Sequence, residues 1–316
     1  MTRQLLLLRH GKAEKSSGGS DFERPLCDRG KRAAQRVATW IWRNDLVPDY
    51  VISSPACRAI ETAYKACKAM GMGPQGIVED RRIYQATASD LLQVLADVPQ
   101  TARRVLLVGH NPGLRKLLSQ LDKNSDGRLP KTALAQLELP DSWLQLPRAC
   151  GHSLARIRPR DLPKKFPFPG PQDNELRDRP AYYYSQSAVI PWRLHNGEVQ
   201  ILVILSSQHK HWVVPKGIKE PGMTPRESAA EEAREEAGVE GVVGVEALGS
   251  YVYQKWGADT TCQVYPMEVT RELAQEEWEE NHRQRSWVTP QQAVAQLAQP
   301  ALGPMLEALV ASLGTC

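Results

Sequence analysis

Residues 4–11 read QLLLLRHG, and this stretch decides the architecture of the first half of the chain. A short run of leucines that ends in charged residues is typical of a β-strand buried on both faces. Further apolar strands are indicated at 50–53 and 105–108, and segments with apolar residues at helical spacing separate the three. This alternation predicts an α/β domain with a largely parallel sheet.

Polar residues follow all three predicted strands. Arg9 and His10 follow the first, Ser54 and then Arg58 follow the second, and His110 follows the third. Because the carboxyl ends of parallel strands meet at one edge of a sheet, we expect these side chains to converge. An imidazole can attack phosphorus to form a covalent phosphohistidine, and arginine forks can bind the phosphoryl oxygens. This chemistry requires no metal.

These motifs resemble the histidine phosphatase superfamily, in its short SixA-like branch, over about residues 3–160. The resemblance is carried by Arg9-His10-Gly11, by Arg24-Pro25-Leu26 with Gly30, by Ser54-Pro55 with Arg58, Ala59 and Thr62, and by Gly109-His110. It implies that His10 is the nucleophile, that Arg9, Arg58 and His110 form the phosphate pocket, and that the site uses no cofactor. SixA-like members can act on phosphohistidine in signalling proteins, and other members act on small phosphate esters. The general acid stays open among Asp21, Glu79 and Asp80.

The composition changes between residues 156 and 180, where six prolines accompany many charged residues. Such a segment is semi-extended and builds little core. We therefore predict one domain at 1–160, a linker at 161–181 and a second domain at 182–316. Strands at 188–192 and 199–205, joined by a hairpin signal at 195–197, precede a charged helix, further strands and a helical end. The second domain is predicted to be an α/β/α sandwich with a mixed sheet.

The charged helix of the second half carries carboxylates on one face. Glu232, Glu235 and Glu236 lie at positions i, i+3 and i+4, between a good N-cap, Thr224, and a C-terminal glycine, Gly238. Clustered carboxylates repel one another unless a cation lies among them. Mg²⁺ or Mn²⁺ is the natural partner, since it prefers oxygen ligands and bridges substrate phosphates. A bound cation can polarise a phosphoryl oxygen and activate water.

The stretch from Gly217 to Val239 resembles the Nudix box, G-x5-E-x7-R-E-U-x-E-E-x-G-U with U aliphatic. The resemblance implies that Glu232, Glu235, Glu236 and Gly217 hold Mg²⁺ or Mn²⁺ and that Glu235 takes part in catalysis. Two positions depart from the pattern: Met223 replaces the first Glu, and Glu231 replaces the Arg that usually forms a salt bridge within the box. We expect the network around the metal ligands to differ accordingly.

Other segments look like the diphosphoinositol polyphosphate phosphohydrolase branch of the Nudix family. They are 212–217, 238–241, 278–280 and 283–287. That branch cleaves highly phosphorylated inositols and often diadenosine polyphosphates or polyphosphate. The resemblance implies that Arg283 and Arg285 touch substrate phosphates and that Glu279 or Glu280 adds a metal ligand or a base. Lys216 is a further substrate-binding candidate because it adjoins Gly217, and Lys219, Lys210 and His209 lie near it in sequence.

Net charge, apolar run length and cysteine pattern limit the partners that we expect for this chain. A net charge of +4 is too small to argue for nucleic acid. No run of about 18 apolar residues exists, so no membrane partner is expected. The six cysteines form no C-x-x-C pair, which favours a cytoplasmic protein with reduced thiols. The expected partners are diphosphoinositols, dinucleoside polyphosphates and nucleotides, and a protein that carries phosphohistidine is a further candidate. The sequence gives no oligomeric state.

Three functions fit these features. The first is a bifunctional phosphohydrolase, in which the Nudix site cuts phosphoanhydrides and the histidine site removes phosphate. The second is the clearance of oxidised nucleoside triphosphates or dinucleoside polyphosphates, with Trp256 or Tyr253 stacked on a base. The third is signalling, in which the first domain resets phosphohistidine and the Nudix domain only senses a ligand.

Overall fold

The computed structural model describes residues 2–15, 19–168 and 175–314. The chain forms two compact units, Met1–Leu176 and Arg177–Cys316. Each unit has its own sheet, with a hydrophobic core on either face. None of the described helices is long and apolar enough to cross a membrane. The described cysteines (27, 57, 67, 150 and 262) are all free, and Cys316 lies outside the described residues.

The first unit is built on a six-stranded sheet in the order β3-β2-β4-β1-β5-β6. Its elements are β1 (Arg3–Arg9), α1 (Asp28–Arg43), β2 (Tyr50–Ser53), α2 (Cys57–Ala69), β3 (Ile77–Glu79), α3 (Ala88–Ala96), β4 (Arg104–Gly109), α4 (Gly113–Leu121), β5 (Leu134–Leu139) and β6 (His152–Ile157). The first four strands pair in parallel, and β5 and β6 pair antiparallel beyond β1. The α/β fold with a parallel-containing sheet is confirmed.

The side chains of β1 alternate between the two cores of this unit. Leu5 and Leu7 pack with residues of α3 and α4, whereas Leu6 and Leu8 pack with residues of α1 and α2. All four leucines are fully buried. A slip of one residue would move each leucine to the opposite core and bring the flanking Gln4 or Arg9 into a buried position. The position of the residue that follows, His10, is therefore strongly specified.

The second unit is built on an eight-stranded mixed sheet. Its elements are β9 (Ser185–His195), β10 (Glu198–Leu205), β11 (Trp212–Val213), β12 (Lys216–Ile218), α5 (Pro225–Ala237), β13 (Val239–Val243), β14 (Gly249–Lys255), β15 (Ala258–Glu272), β16 (Arg285–Val288), α6 (Pro290–Gln296) and α7 (Leu302–Leu313). They follow two short strands, β7 (Phe166–Pro167) and β8 (Leu176–Arg177). The pair β9–β15 is parallel and the other pairs are antiparallel. Helix α5 packs on one face and α6 and α7 on the other, so the mixed-sheet sandwich is confirmed.

Helix α5 begins and ends where its sequence dictates. The Thr224 hydroxyl accepts the N–H of Glu227, and the Glu227 carboxylate accepts the N–H of Thr224. Gly238 ends the helix in the left-handed region, at φ 62°. Between these ends Ala229, Ala233 and Ala237 face the sheet and are buried. Because these side chains are small, the helix backbone packs close to the sheet. This close packing fixes the distance of the α5 glutamates from the sheet.

The boundary between the units falls inside the segment predicted to be a linker, 161–181. Part of that segment has regular structure, because Phe166 is buried and the N–H of Phe168 donates to the carbonyl of Glu175. Residues 169–174 of the predicted linker lie outside the described residues.

Candidate functional sites

Three parallel strands of the first unit end at one edge of the sheet, and the polar residues that follow them meet there. The ring centroids of His10 and His110 are 4.9 Å apart. The N–H of His10 donates to the carbonyl of Gly109 at 3.0 Å, which links the ends of β1 and β4. Arg58, in the first turn of α2, is close enough to act electrostatically on both rings. The structure therefore brings His10, His110 and Arg58 together.

The His10 ring is held with one nitrogen against the backbone. Its Nδ1 lies 2.7 Å from the carbonyl oxygen of Gly11, and since a carbonyl only accepts, Nδ1 carries the proton. Burial lowers the pKa of His10 to about 4; the bond to Gly11 opposes this shift, and Arg58, Arg9 and Lys131 add to it. The ring is therefore neutral at pH 7, and Nε2 bears the lone pair that a nucleophile needs.

The loop that carries His10 is fixed by the two neighbouring helices. The N–H of Gly11 donates to the hydroxyl of Thr62 at 2.9 Å, and that hydroxyl donates to the carbonyl of Arg58 at 2.6 Å. A Cβ on Gly30 would lie 2.2 Å from the carbonyl oxygen of Lys12, so only glycine lets α1 approach this loop. These contacts explain why Gly30 and Thr62 belong to the motif.

Arg58 is already paired in the structure. Its Nη2 lies 2.7 Å from Oδ2 of Asp21, and its Nη1 donates to the Asp21 backbone carbonyl. Arg24 and the Tyr84 hydroxyl bind the same carboxylate, at 2.8 Å and 3.2 Å. Hydrogen bonding from Arg24 first, and the charge and hydrogen bonds of Arg58 and Tyr84, lower the pKa of Asp21. A carboxylate held in this way stays ionised, so Asp21 is a poor source of a proton.

The other two general-acid candidates lie elsewhere. Asp80 binds Arg82, with Oδ2 2.6 Å from Nη2, and this hydrogen bonding lowers the pKa of Asp80. Glu79 is exposed on β3. Neither Asp21 nor Asp80 has a raised pKa. The geometry thus favours a leaving group that needs little protonation.

His110 is the more deeply constrained of the two imidazoles. Its Nε2 lies 2.8 Å from the hydroxyl of Ser54, and its buried Nδ1 has no hydrogen-bond partner among the described residues. Burial lowers the pKa of His110 to about 3, and His10, Arg58 and Arg9 contribute in the same direction while Asp21 opposes them. A buried polar atom without a partner is costly, so a ligand that supplied one would be bound more tightly.

Both imidazoles are expected to stay neutral where ordinary histidines titrate. Because their folded pKa values, about 4 and about 3, lie below the unfolded value of about 6.5, the unfolded chain binds protons first and stability falls as the pH drops below about 6.5. NMR of the His10 and His110 rings between about pH 8 and about pH 5 should show that neither titrates in this range. One of these signals should vanish in His10→Ala and the other in His110→Ala, which assigns them; titration of either ring near about pH 6.5 would contradict this.

Arg9 lies at the end of β1, partly engaged with the backbone. Its Nη1 donates to the carbonyl of Leu129 at 3.2 Å, and its buried Nε has no hydrogen-bond partner among the described residues. Burial lowers the pKa of Arg9. The guanidinium acts electrostatically on both His10 and His110, so the structure places it beside the predicted pocket.

The second unit gathers carboxylates between α5 and β12. A Cβ on Gly217 would lie 1.7 Å from Oε1 of Glu232, so only glycine leaves room for that carboxylate. Oε2 of Glu236 accepts the N–H of Lys216 at 3.0 Å, and its Oε1 lies 2.7 Å from Nη2 of Arg283. The predicted residues Gly217, Glu232 and Glu236 are thus neighbours, and Arg283 lies with them.

These carboxylates destabilise one another in the charged form. Burial first, and then the charges of Glu236, Glu235, Glu220 and Glu280, raise the pKa of Glu232 to about 8. Burial also raises the pKa of Glu235, with Glu279 and Glu231 adding to the shift. The pKa of Glu236 is raised by burial even though Lys216 and Arg283 oppose it. Such a cluster is stabilised by a cation.

The segment between β15 and β16 packs against the carboxyl end of α5. The N–H of Glu280 and the indole N–H of Trp278 both donate to the carbonyl of Glu235, at 3.1 Å and 3.0 Å. Arg285 donates to the carbonyls of Ala237 and Gly238 at 3.0 Å and 2.8 Å, and its guanidinium lies over Trp278. Arg285 therefore caps the helix, and its donors are directed to the backbone rather than to the carboxylate cluster.

Arg283 is likewise held inside the protein. Its side chain is 7% exposed and bridges Glu236 and Glu280, with Nε 2.5 Å from Oε2 of Glu280. Because both carboxylates belong to the cluster, the guanidinium neutralises part of the cluster's charge and orients Glu236. In this structure Arg283 positions a predicted metal ligand.

A lysine that the sequence did not single out lies near Lys216. The ammonium of Lys216 lies 5.3 Å from the centroid of the Tyr253 ring. Burial first, and Lys216 second, lower the pKa of Lys255, whose charge is favoured by Glu236 and Glu232. The two ammonium groups are therefore near the carboxylate cluster. Trp256, the other stacking candidate, packs edge-on against Tyr183 and Tyr184.

Comparison with known proteins identifies both units. The NUDIX domain model matches residues 185–309, and the model of the histidine phosphatase superfamily (branch 1) matches residues 5–83. Nudix hydrolase 12, mitochondrial, of Arabidopsis thaliana is 30% identical over 143 residues, which are 37% of this chain and 70% of the relative. Diphosphoinositol polyphosphate phosphohydrolase 2 of Rattus norvegicus is 35% identical over 118 residues, which are 35% of this chain and 63% of the relative.

The chain belongs to the Nudix hydrolase family. Its first unit carries a histidine phosphatase domain, so the resemblances to the Nudix family and to the histidine phosphatase superfamily are confirmed, and the chain is a hydrolase. Among solved structures, a SixA phosphohistidine phosphatase from Nakamurella multipartitia, putative in its own description, matches with a TM-score of 0.44 and 24% identity, over 50% of this chain and 97% of that one. This chain spans as little as 60% of the length of the relatives that it matches.

Nudix domains generally use a divalent metal such as Mg²⁺, and the donors of the second unit fit one chemically. The set consists of carboxylate oxygens beside the Gly217 backbone, with pKa values raised by burial first and then by neighbouring carboxylates. Among the described residues, no three His, Cys, Asp or Glu side chains are already arranged as metal ligands. The residues that would hold the ion are Glu232, Glu235 and Glu236.

Other local contacts take the place of the salt bridge that Glu231 does not form within the Nudix box. Glu231 is exposed, and its nearest cation is Arg234 at 3.9 Å, so it provides no strong link to the loop before α5. That loop is instead tied to the helix by the N–H of Glu220, which donates to the Ser228 hydroxyl at 2.9 Å, and by the Thr224 capping box. Met223 is half-buried in the loop.

Proposed function

We propose that the protein is a bifunctional phosphohydrolase. The Nudix unit cleaves phosphoanhydrides with Mg²⁺ or Mn²⁺, and the histidine phosphatase unit removes phosphate through a phosphohistidine intermediate. The observation that carries the proposal for the first unit is the pair of neutral, buried imidazoles, 4.9 Å apart, beside Arg58. For the Nudix unit it is the half-buried cluster of carboxylates whose pKa values are raised.

In the phosphatase unit, Nε2 of His10 attacks phosphorus while Nδ1–H remains bound to the Gly11 carbonyl. Arg9 and Arg58 bind the phosphoryl oxygens, on which negative charge concentrates in the transition state. A phosphate would compete with Asp21 for Arg58 and could accept from His110. Water then hydrolyses the phosphohistidine and releases inorganic phosphate. Since Asp21 and Asp80 have lowered pKa values, the leaving group is one that departs without a strong acid.

In the Nudix unit, Glu232, Glu235 and Glu236 would hold the ion together with the Gly217 carbonyl. When bound, the ion would supply positive charge to the substrate phosphates and would activate water. Arg283 keeps Glu236 in place, and Lys216 and Lys255 supply positive charge to the rest of the anion. The residue that positions or deprotonates the water is proposed to be Glu235, whose pKa is raised by burial.

The proposed substrates of the Nudix unit are diphosphoinositol polyphosphates, dinucleoside polyphosphates or polyphosphate. The first class is supported by the 35% identity to the rat diphosphoinositol polyphosphate phosphohydrolase 2. Clearance of oxidised nucleotides is the second candidate, and it is supported by Tyr253 beside Lys216, a pairing that offers a ring for a base and a charge for a phosphate. A signalling role, with phosphohistidine as substrate, is consistent with a site that lacks a strong acid.

Metal removal should separate the two activities. With EDTA in excess, we expect cleavage of diphosphates to stop, because the carboxylate cluster then lacks its cation. Release of phosphate from a monoester such as p-nitrophenyl phosphate should continue, because it depends on His10 and arginines. Both rates are measured on the full chain, and Mg²⁺ added back should restore the first. Diphosphate cleavage that persists in EDTA would sink the metal assignment.

A further inference from the structure

A basic cleft of about 1020 Å³ opens in the first unit. It is bounded by α1, the end of β1, the start of α4, the loop of residues 126–133 and the segment that leaves β6. Ten of its twenty lining residues are arginine or lysine, and among them only Asp126 is acidic. A concentration of one charge sign in a cleft focuses the electric field and attracts ligands of the opposite sign.

Carboxylates neutralise part of this charge. Asp126 pairs with Arg156 and Arg128, with distances of 2.5 Å and 3.5 Å, and Asp161 pairs with Arg158 and Arg160 at 2.6 Å and 3.7 Å. Six lining cations have no carboxylate within 4 Å among the described residues. They are Arg9, Lys12, Arg29, Arg36, Arg115 and Lys131.

Helix α1 presents two of these cations side by side. Arg29, Ala33 and Arg36 are spaced four and three residues apart, so they share one face of the helix. The small Ala33 leaves room between the two guanidinium groups. The buried Nε of Arg36 has no hydrogen-bond partner among the described residues, and burial, with Arg32 and Arg29, lowers the pKa of Arg36. Crowding cations on one helix face is unfavourable unless an anion binds there.

The cleft borders the His10 pocket. Arg9 and Lys131 line the cleft, and both also act electrostatically on His10. The N–H of Thr132, another lining residue, donates to the carbonyls of Arg9 and His10, at 3.1 Å each. A ligand with a phosphoryl group at His10 can therefore extend past Arg9 towards α1. A single phosphoryl group would engage Arg9, Arg58 and His110 and leave Arg29, Arg36 and Arg115 without an anion.

We propose that the cleft binds the remaining phosphate groups of a multiply phosphorylated small molecule, whose outermost phosphoryl group is transferred at His10. The proposal rests on the proposed function of this unit and names its substrate class. The phosphoryl group moves from its bridging oxygen to Nε2 of His10, water releases it as inorganic phosphate, and the ligand leaves with one phosphate fewer. A linear oligophosphate and a ring that carries several phosphates share the chemistry of binding. Transfer to His10 is expected from a phosphoanhydride, whose phosphate leaving group departs without a strong acid.

Binding is tested on the full chain carrying His10→Ala, without divalent metal, by calorimetric titration with inorganic tripolyphosphate and with inositol hexakisphosphate. Adding Arg29→Ala or Arg36→Ala should weaken binding of the preferred compound about tenfold each, the equivalent of one lost charged contact. Arg43→Ala, an exposed arginine at the other end of α1, is the matched control and should leave the Kd unchanged. Equal Kd values in all three variants, or no binding of either compound, would overturn the proposal.

Turnover separates this proposal from the function on which it rests. In a chain carrying Glu235→Gln, with EDTA present, the KM for the preferred compound should rise in Arg36→Ala about tenfold more than the KM for p-nitrophenyl phosphate. If both KM values rise equally while His10 remains essential, the phosphatase function stands and the cleft proposal falls. If neither compound is hydrolysed but Arg29 and Arg36 still govern binding, the cleft remains a binding site for multiply phosphorylated compounds, and transfer at His10 falls together with the phosphatase function.

Discussion

Replacing His10 with alanine is expected to lower release of phosphate from p-nitrophenyl phosphate at least about 10³-fold, because the reaction loses its nucleophile. The ring is neutral at pH 7 and bound through Nδ1, so Nε2 has no substitute among the neighbouring groups that the structure describes. His110 cannot take over, because its Nε2 lies 2.8 Å from Ser54 and its ring belongs to a different strand end. Initial rates at saturating substrate measure the effect.

The matched control is His152→Ala, which removes an exposed histidine from β6 of the same unit. It should leave the rate unchanged. A second readout follows the intermediate: wild type quenched during turnover should contain acid-labile phosphate on the protein, and His10→Ala should contain none. Residual activity in His10→Ala within a few-fold of wild type would refute the assignment of the nucleophile.

Glu235→Gln is expected to lower Mg²⁺-dependent cleavage of diphosphates at least about 100-fold. The substitution keeps the shape of the side chain but removes its charge and its capacity to accept a proton. The carbonyl of Glu235 also accepts the N–H of Glu280 and the indole of Trp278, and the amide variant leaves those backbone contacts intact. Cleavage is followed by phosphorus NMR with saturating Mg²⁺.

Glu231→Gln is the control for Glu235→Gln, since it makes the same change in the same helix. Glu231 is exposed, and its ion pair with Arg234 at 3.9 Å is weak, so the rate should change little. If the two variants lose activity equally, helix charge alone is responsible and Glu235 has no special role. If neither loses activity, the carboxylate cluster is not the catalytic centre.

Much of the fold could be predicted from local patterns in the sequence. The leucines of β1 and the apolar spacing of α1 predicted buried elements, because burial on a strand or helix face leaves a periodic trace. The boundaries of α5 followed from Thr224 and Gly238, whose capping chemistry is local. The helix α3 was not predicted, since a helix of nine residues leaves a weak pattern.

The sites were predictable where strand ends and helix faces bring residues together. His10 and His110 meet because β1 and β4 are parallel neighbours. The sequence could not reveal that Arg285 caps α5 or that Arg283 is buried in an ion pair, because both depend on how the segment before β16 packs. Tyr84, Lys255 and the row Arg29–Arg36 were missed for the same reason: their partners are distant in sequence.

The central claim is that one chain holds two independent phosphohydrolase sites. Phosphorus NMR of the full chain with Mg²⁺, a diphosphoinositol, a dinucleoside polyphosphate and p-nitrophenyl phosphate tests it directly, with wild type beside His10→Ala and Glu235→Gln. We expect Glu235→Gln to lose diphosphate cleavage and keep monoester hydrolysis, and His10→Ala to show the reverse. Loss of both activities in either variant, or diphosphates that remain intact in wild type, would contradict the claim.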